Sequence, residues 1–432
     1  MRNTGYFKNK KITVVGLARS GYASAALLSD LGAKVSVTDK NINETTKGYA
    51  VKLQSRKVEI ELGRHTQEFI KDRDTIVISP GVDNRALPVI WAENFRIPII
   101  SEIELAWNLC PATVIAVTGT NGKTTVTTLI GKVLEAGGER VYICGNIGNP
   151  FCGQVSLMQG ADCVSLEVSS FQLERIDKFK PKISVILNFS RNHLDRYKDM
   201  EDYLEAKKRI FMNQDKGDYL ILNYQDPVLK KISKEAKAGV VYFNESTEKN
   251  PNHSAVMAVA KILGIEEKTC LGVLADFKGV EHRLEEVAQF NGVAFINDSK
   301  ATTADSTIWA LNNTEEPVVL IAGGRDKGLD FTVIRDLVKK KVKSLVLIGE
   351  AREKIKQALN NILPIKEASS LEEALAIAWA EAEKGDAILL SPMCASFDMF
   401  ANFEERGNCF KRVVRDLISK LKTQNSKLQL KT

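Results

Sequence analysis

Short apolar, largely β-branched runs recur along this chain, and each ends in a glycine-containing or polar loop. Such runs are Lys11–Gly16, Lys34–Thr38, Thr75–Ser79, Thr113–Val117, Val141–Cys144, Cys163–Val168, Ile183–Asn188 and Tyr219–Asn223. The pattern returns at Ala294–Asn297, Val318–Ala322, Ser344–Ile348 and Ala387–Leu390. Between them, apolar residues fall at helical spacing: Tyr22–Leu31, the series Val126, Leu129, Ile130, Val133, then Tyr203–Met212, His253–Leu263 and Leu371–Ala382. Strand, loop, helix in repetition predicts an α/β fold whose ligand loops lie at the carboxyl ends of the strands. Two breaks divide the pattern, Cys110-Pro111 and the polar stretch Lys278–Glu285. Three domains are therefore expected, 1–110, 111–286 and 287–432, the first and last Rossmann-like and the central one P-loop ATPase-like. The chain after Leu421 reads as disordered.

Composition narrows the class. At 432 residues with 44% hydrophobic content, the chain has material for several cores. A net charge of +6 suits anionic small substrates and is too diffuse to argue for nucleic acid. Seven scattered cysteines with no C-x-x-C pair read as free thiols in a reducing compartment. No apolar run approaches a membrane span, so a cytoplasmic protein without membrane contact is expected.

The chemistry is densest at TVIAVTGTNGKTTVTTLI, residues 113–130. Strand, then Gly119-Thr120-Asn121-Gly122-Lys123-Thr124-Thr125, then helix, is the context of a P-loop. Its glycines let backbone N–H groups approach phosphate, and the helix N-terminus adds partial positive charge. Lys123 can reach the β- and γ-phosphates and Thr124 can ligate Mg²⁺. The glycine spacing is one residue short of the full P-loop count.

Other strand ends add candidates. Gly16-x-Ala18-x-x-Gly21 with Asp39 is a dinucleotide fingerprint lacking its middle glycine; it reads as a structural turn or as the site of a nucleotide-like ligand. Glu167 ends a strand where a carboxylate could hold Mg²⁺, or stands as a satisfied half-buried acid. His193, one of four histidines, follows the next strand and is structural or part of the same site. From these residues alone the chain is an ATP- and Mg²⁺-dependent enzyme that phosphorylates a small carboxylate or hydroxyl. A dehydrogenase reading of the first turn leaves the P-loop unexplained.

Taken together, GTNGKTT at 119–125, GLARSG at 16–21, Ser79-Pro80-Gly81, SLEVSSFQLE at 165–174, NDSKAT at 297–302, AGGRDKG at 322–328 and LSPMCASFDMF at 390–400 resemble the Mur ligase family from Lys11 to about Leu421. The last motif, continued by Phe403-Glu404-Glu405-Arg406-Gly407, together with NDSKAT points to the D-glutamate-adding members. The resemblance implies that the carboxylate of UDP-N-acetylmuramoyl-L-alanine attacks the γ-phosphate of ATP, and that D-glutamate captures the acyl phosphate as an amide. It implies peptidoglycan precursor synthesis, two Mg²⁺ ions and a monomer.

By matching position, the resemblance puts Lys123 on the phosphates, with Gly119 to Thr125 around them. Arg283 and Asp298 are implied to meet ATP, and Thr124 and Glu167 to hold Mg²⁺. His193 is implied at a second metal or beside the acyl phosphate. Lys207, otherwise a solvated helix lysine, matches a lysine carbamylated by CO₂, which requires a neutral amine and a lowered pKa. Arg19, Ser20, Asp39 and Ser79 would line a uridine site, and Asn146 would touch the UDP-sugar. Lys300, Thr302, Lys327, Ser396 and Phe397 would bind D-glutamate. The chain departs from the family pattern at Asn192, Ser254, Met257, Thr303 and Asp305. Other amide ligases of the superfamily and a non-catalytic nucleotide-binding protein are alternatives.

Overall fold

A computed structural model of the protein describes residues 1–190, 196–246, 250–326 and 328–429, with side chains to residue 423. His193, Asn192 and Lys327 lie outside the described residues. Backbone contacts divide the chain into two compact units, Met1–Phe277 and Lys278–Thr432.

The first unit contains two sheets among its described residues. One is built from β1 (Lys11–Val15), β2 (Lys34–Asp39), β3 (Glu59–Leu62), β4 (Thr75–Ile78) and β5 (Ile99–Ser101), in the order β3-β2-β1-β4-β5. The other holds β6 (Thr113–Thr118), β7 (Val141–Gly145), β8 (Cys163–Glu167), β9 (Ile183–Ile186), β10 (Tyr219–Asn223) and β11 (Gly239–Phe243), in the order β11-β10-β9-β6-β8-β7. Every pairing in both is parallel. That explains the unbroken apolar runs of the inner strands, because helices cover both faces of such sheets. The strand order reverses beside β1 in one sheet and beside β6 in the other, and ligands bind at such switch points.

A single apolar cluster runs through both sheets, from Val14 and Leu28 to Val114 and Leu166. Two buried acids add polar ties. Glu104 accepts from the backbone N–H groups of Asp177 (3.0 Å), Lys178 (2.9 Å) and Phe179 (2.9 Å), and Glu102 accepts from Cys152 N–H at 2.6 Å.

The second unit contains β12 (Glu285–Phe290), β13 (Val293–Asn297), β14 (Val318–Gly323), β15 (Val342–Ile348), β16 (Ile365–Glu367) and β17 (Ala387–Leu390), ordered β12-β13-β17-β14-β15-β16. Only β12 is antiparallel to its neighbour, through a hairpin turn at Asn291-Gly292, both at positive φ. The loops after β13, β14 and β17 therefore leave the same edge of the sheet.

The structure corrects one expectation. The segment beyond Leu421, read as disordered, continues the helix Phe403–Gln429. It contains no glycine or proline to stop it, and the run is rich in lysine, glutamine and leucine, which favour helix. Among the described residues no helix is long and apolar enough to cross a membrane. The seven cysteines are free, and all but Cys409 are buried.

Candidate active site

The turn after β6 begins with Gly119 and closes at Gly122, whose φ of +81° only a residue without Cβ adopts at little cost. The helix Lys123–Ala136 starts there and points its N-terminus at the loop. Asn188, just past β9, holds the loop's shape: its Oδ1 accepts from Thr120 N–H (3.0 Å) and Asn121 N–H (2.9 Å), and its Nδ2 donates to Asn121 O (3.1 Å).

Two lysines converge on this loop. Lys123 Nζ donates to the carbonyls of Gly119 (2.9 Å) and Thr120 (3.0 Å). Lys207 Nζ donates to the same Gly119 carbonyl at 3.0 Å and lies 4.6 Å from the centre of the Tyr203 ring. Lys207 is 1% exposed, so its helix, Met200–Lys208, presents it to the interior and not to solvent. Burial, and then the nearby Lys123 charge, hold its pKa well below the ordinary lysine value.

Glu167 ends β8, paired across to Val117 of β6 and Gly145 of β7. It is buried. Its Oε1 accepts from Asn146 Nδ2 at 2.7 Å, while Oε2 has no hydrogen-bond partner among the described residues. A buried carboxylate oxygen left bare beside a P-loop suits a hard cation, with the buried Thr124 hydroxyl as a second oxygen donor. Among the described residues no group of three or more His, Cys, Asp and Glu is placed to hold a metal, so these oxygens are the donor set on view.

Asn146, bonded to Glu167, also lines a cavity of about 600 Å³ at the carboxyl ends of β1, β2 and β4. Arg19, Ser20, Asp39, Ser79 and Asn146 all line it, as do His65 and Gln172. The helix Arg19–Asp30 comes so close to β1 that a Cβ on Gly21 would lie 1.8 Å from Gly16 O. Ser79 Oγ donates to that same carbonyl at 2.8 Å. Asp39 is occupied on both sides, Oδ2 by Leu17 N–H at 2.6 Å and Oδ1 by Asn41 N–H at 2.8 Å.

In the second unit, Asp298 follows β13 and is buried. Ser391 Oγ donates to its Oδ2 at 2.7 Å and Leu284 N–H to its Oδ1 at 3.3 Å. Burial pushes its pKa up to about 7, against the pull of Ser391 and Arg283. Arg283, half-buried, keeps a buried Nε without a partner among the described residues. Lys300 and the half-buried Thr302 lie on the same loop, with Lys300 Nζ 5.7 Å from the Phe403 ring centre. Ser396, on the loop after β17, is buried, whereas the neighbouring Phe397 is 56% exposed.

Sequence reasoning quoted Arg406 only within a motif and gave it no role; it is 1% exposed and fastens two of these loops. It donates through Nε to Ser299 Oγ (3.0 Å) and through Nη2 to the carbonyls of Ser299 (2.8 Å) and Cys394 (3.1 Å). Sequence reasoning also gave no role to His65 and Tyr203. Lys207, Tyr203 and His65 carried no local signal, because their burial comes from segments distant in sequence. The departures are unremarkable locally: Thr303 caps the helix Ala304–Asn312, accepting from Ser306 N–H at 3.3 Å, Asp305 lies in its first turn, and Met257 packs against an apolar cluster.

Known proteins share this architecture. Residues 10–101 match the Mur ligase MurD-like N-terminal domain, 117–300 the Mur ligase middle domain, and 282–394 the Mur ligase glutamate ligase domain. The UDP-N-acetylmuramoylalanine--D-glutamate ligase of Geotalea uraniireducens is 40% identical over 95% of this chain and 98% of its own. That of Caldanaerobacter subterraneus subsp. tengcongensis is 41% identical over 95% and 99%. Among solved structures, the UDP-N-acetylmuramate-alanine ligase MurC of Thermotoga maritima superposes with a TM-score of 0.60 at 19% identity, covering 95% of this chain and all of that one. MurF of Thermotoga maritima in complex with ADP does so with a TM-score of 0.56 at 15% identity, covering 82% and 96%. With three family segments in chain order and relatives aligned almost end to end, this chain belongs to the Mur ligase family.

Proposed function

We propose that the protein uses ATP to join D-glutamate to UDP-N-acetylmuramoyl-L-alanine, a step of peptidoglycan precursor synthesis, through an acyl phosphate. The observation that carries this reading is the meeting of Lys123, Lys207 and the bare Glu167 oxygen at one loop, with Asn146 bonded to Glu167 and lining the 600 Å³ cavity. A carboxylate is a poor electrophile at neutral pH, so it must be activated, and three anionic groups must be held together.

Lys123 leaves the Gly119 and Thr120 carbonyls to hold the β- and γ-phosphates, with the loop Gly119–Thr125 around them. Thr124 and Glu167 hold Mg²⁺, which when bound neutralises phosphate charge and orients the γ-phosphoryl group. Lys207, whose pKa burial lowers toward the neutral amine, would take up CO₂ with loss of a proton, and the resulting carbamate would offer anionic oxygens to a second Mg²⁺, a site to which His193 is also assigned. Arg19, Ser20, Asp39 and Ser79 hold the uridine end of the substrate, and Asn146 directs its carboxylate arm toward Glu167. In the second unit Arg283 and Asp298 serve ATP, while Lys300, Thr302, Lys327, Ser396 and Phe397 hold D-glutamate, the two lysines matching its two carboxylates. The division into 1–110, 111–286 and 287–432, a cytoplasmic setting and a monomeric state belong to the same proposal.

Phosphate release from ATP with Mg²⁺ and UDP-N-acetylmuramoyl-L-alanine tests it, run against D-glutamate, L-glutamate, L-alanine, L-lysine and diaminopimelate. Release that needs both the UDP-sugar and D-glutamate is expected. Release with another amino acid moves the specificity, and no release with any of them overturns the reading.

A further inference from the structure

The cavity lined by Asp39 and Ser79 contains a titratable side chain with no part in the scheme above. His65 follows β3 and lines the cavity. Its Nδ1 lies 2.8 Å from the hydroxyl of Thr38, a fully buried residue of β2. The same hydroxyl lies 2.9 Å from Glu61 Oε2 and 3.2 Å from the Arg64 carbonyl. Glu61 in turn accepts from Thr66 N–H at 3.0 Å and faces Arg64 Nε at 3.6 Å.

The contacts favour one tautomer of the ring. A hydroxyl has one proton to give, and a carboxylate or carbonyl oxygen can only accept. The carboxylate is the strongest acceptor within reach, so the Thr38 proton is assigned to Glu61 and the proton shared with His65 to Nδ1. In the neutral ring Nε2 then carries a lone pair, and no described residue donates to it. Burial lowers the pKa of His65 from 6.5, with Lys40 pulling the same way and Asp39 and Glu61 against it, so at neutral pH the ring is predominantly uncharged.

We propose that His65, locked by Thr38 as the Nδ1-protonated imidazole, is a specificity-determining residue of this cavity, its Nε2 accepting a hydrogen bond from the nucleoside, either from a ribose hydroxyl or from the base N3–H. This rests on the reading of the cavity as the uridine site. An acceptor here favours uracil, whose N3 bears a proton, over cytosine, whose N3 does not, or it favours ribose over deoxyribose.

Calorimetric titration of the full-length protein with UDP, CDP and 2′-deoxy-UDP tests it. Losing one such hydrogen bond weakens UDP binding by about fivefold in His65→Ala. Thr38→Val, which keeps the volume of the buried site, weakens UDP less and adds nothing in the His65→Ala background. CDP or 2′-deoxy-UDP, whichever lacks the donor, binds the wild type weaker by the same factor, and that difference vanishes in His65→Ala. Selective ¹⁵N-histidine spectra give a readout that packing alone does not move. With four histidines in the chain, the signals lost in His65→Ala identify the residue and should show protonated Nδ1 and bare Nε2 in the wild type.

UDP affinity unchanged in His65→Ala, or an Nε2-protonated ring, overturns the role of His65 and leaves the cavity reading standing. A wild type that does not bind UDP overturns the cavity reading and the role of His65 with it.

Discussion

Two turns of the first unit, one after β1 and one after β6, follow the same plan: a buried parallel strand, a glycine that admits close approach, and a helix aimed back at the strand end. They treat charge in opposite ways. In the turn after β1, Asp39 gives both oxygens to backbone N–H groups and Ser79 closes onto Gly16 O, so the polar groups are matched before any ligand arrives. In the turn after β6, two lysines share one carbonyl, and a carboxylate oxygen next door has no described partner. A buried carboxylate oxygen without a partner is costly. On the proposed function the second turn is poised for charged ligands, whereas the first reads its ligand by shape and hydrogen bonds, so that one backbone design serves recognition in one place and chemistry in the other.

The comparison can be broken at either end. The largest effect is expected from Lys123→Ala, which should lower kcat in the phosphate-release assay on the order of 10³-fold while UDP affinity changes by less than about threefold. A parallel collapse in UDP affinity would mean that the two turns are not separate in function. Lys207→Ala should cost about 10²- to 10³-fold in kcat, with part of the activity returning in Lys207→Glu, which restores an anionic oxygen. Full activity in Lys207→Ala removes the metal-ligand role.

A buried acid outside both turns supplies a control on stability. Glu102 is held at a pKa of about 7, above its ordinary 4.5, chiefly by burial. The folded state keeps its proton where the unfolded state has lost it. Its contribution is therefore full below pH 4.5 and lost as pH rises through about 7. Urea unfolding at about pH 5 and about pH 8 should show that decline shrink in Glu102→Gln, by at most about 3 kcal/mol. An unchanged pH dependence would show that Glu102 is ionised throughout. The smallest effect belongs to the first turn: Ser79→Ala should raise KM for the UDP-sugar about fivefold and leave kcat alone, as one neutral hydrogen bond is worth. A fall in kcat of the same size would give Ser79 a part in the chemistry.

Much of this arrangement was legible in the sequence, for physical reasons. Strands buried on both faces must be apolar throughout, so β1, β6, β9 and β17 announced themselves, and Gly119 to Thr125 carried its own chemistry. Short strands of mixed polarity did not: β3 reads Glu59-Ile60-Glu61-Leu62 and β16 Ile365-Lys366-Glu367, and neither has the continuous apolar run of the inner strands. The β12–β13 hairpin was missed although Asn291-Gly292 is a strong turn signal. Lys207 is the clearest case of a limit. Its helix offers several charged residues, and which of them is buried depends on where the loop after β6 lies. Composition and periodicity alone read it as solvated, and only the likeness to other ligases singled it out.

The internal matching of Asp39 has a consequence for inhibitor chemistry. Its carboxylate is already committed to two backbone amides, so a molecule settling in that cavity is not obliged to bring a cation to meet it. At about 600 Å³ the cavity lies within the range, about 300–1,000 Å³, that admits drug-sized compounds. If the cavity takes the nucleoside end of the substrate as proposed, an uncharged, membrane-permeant scaffold can compete there without a partner for Asp39, whereas one aimed at the lysines of the loop after β6 gains most from anionic charge, which hinders entry into cells.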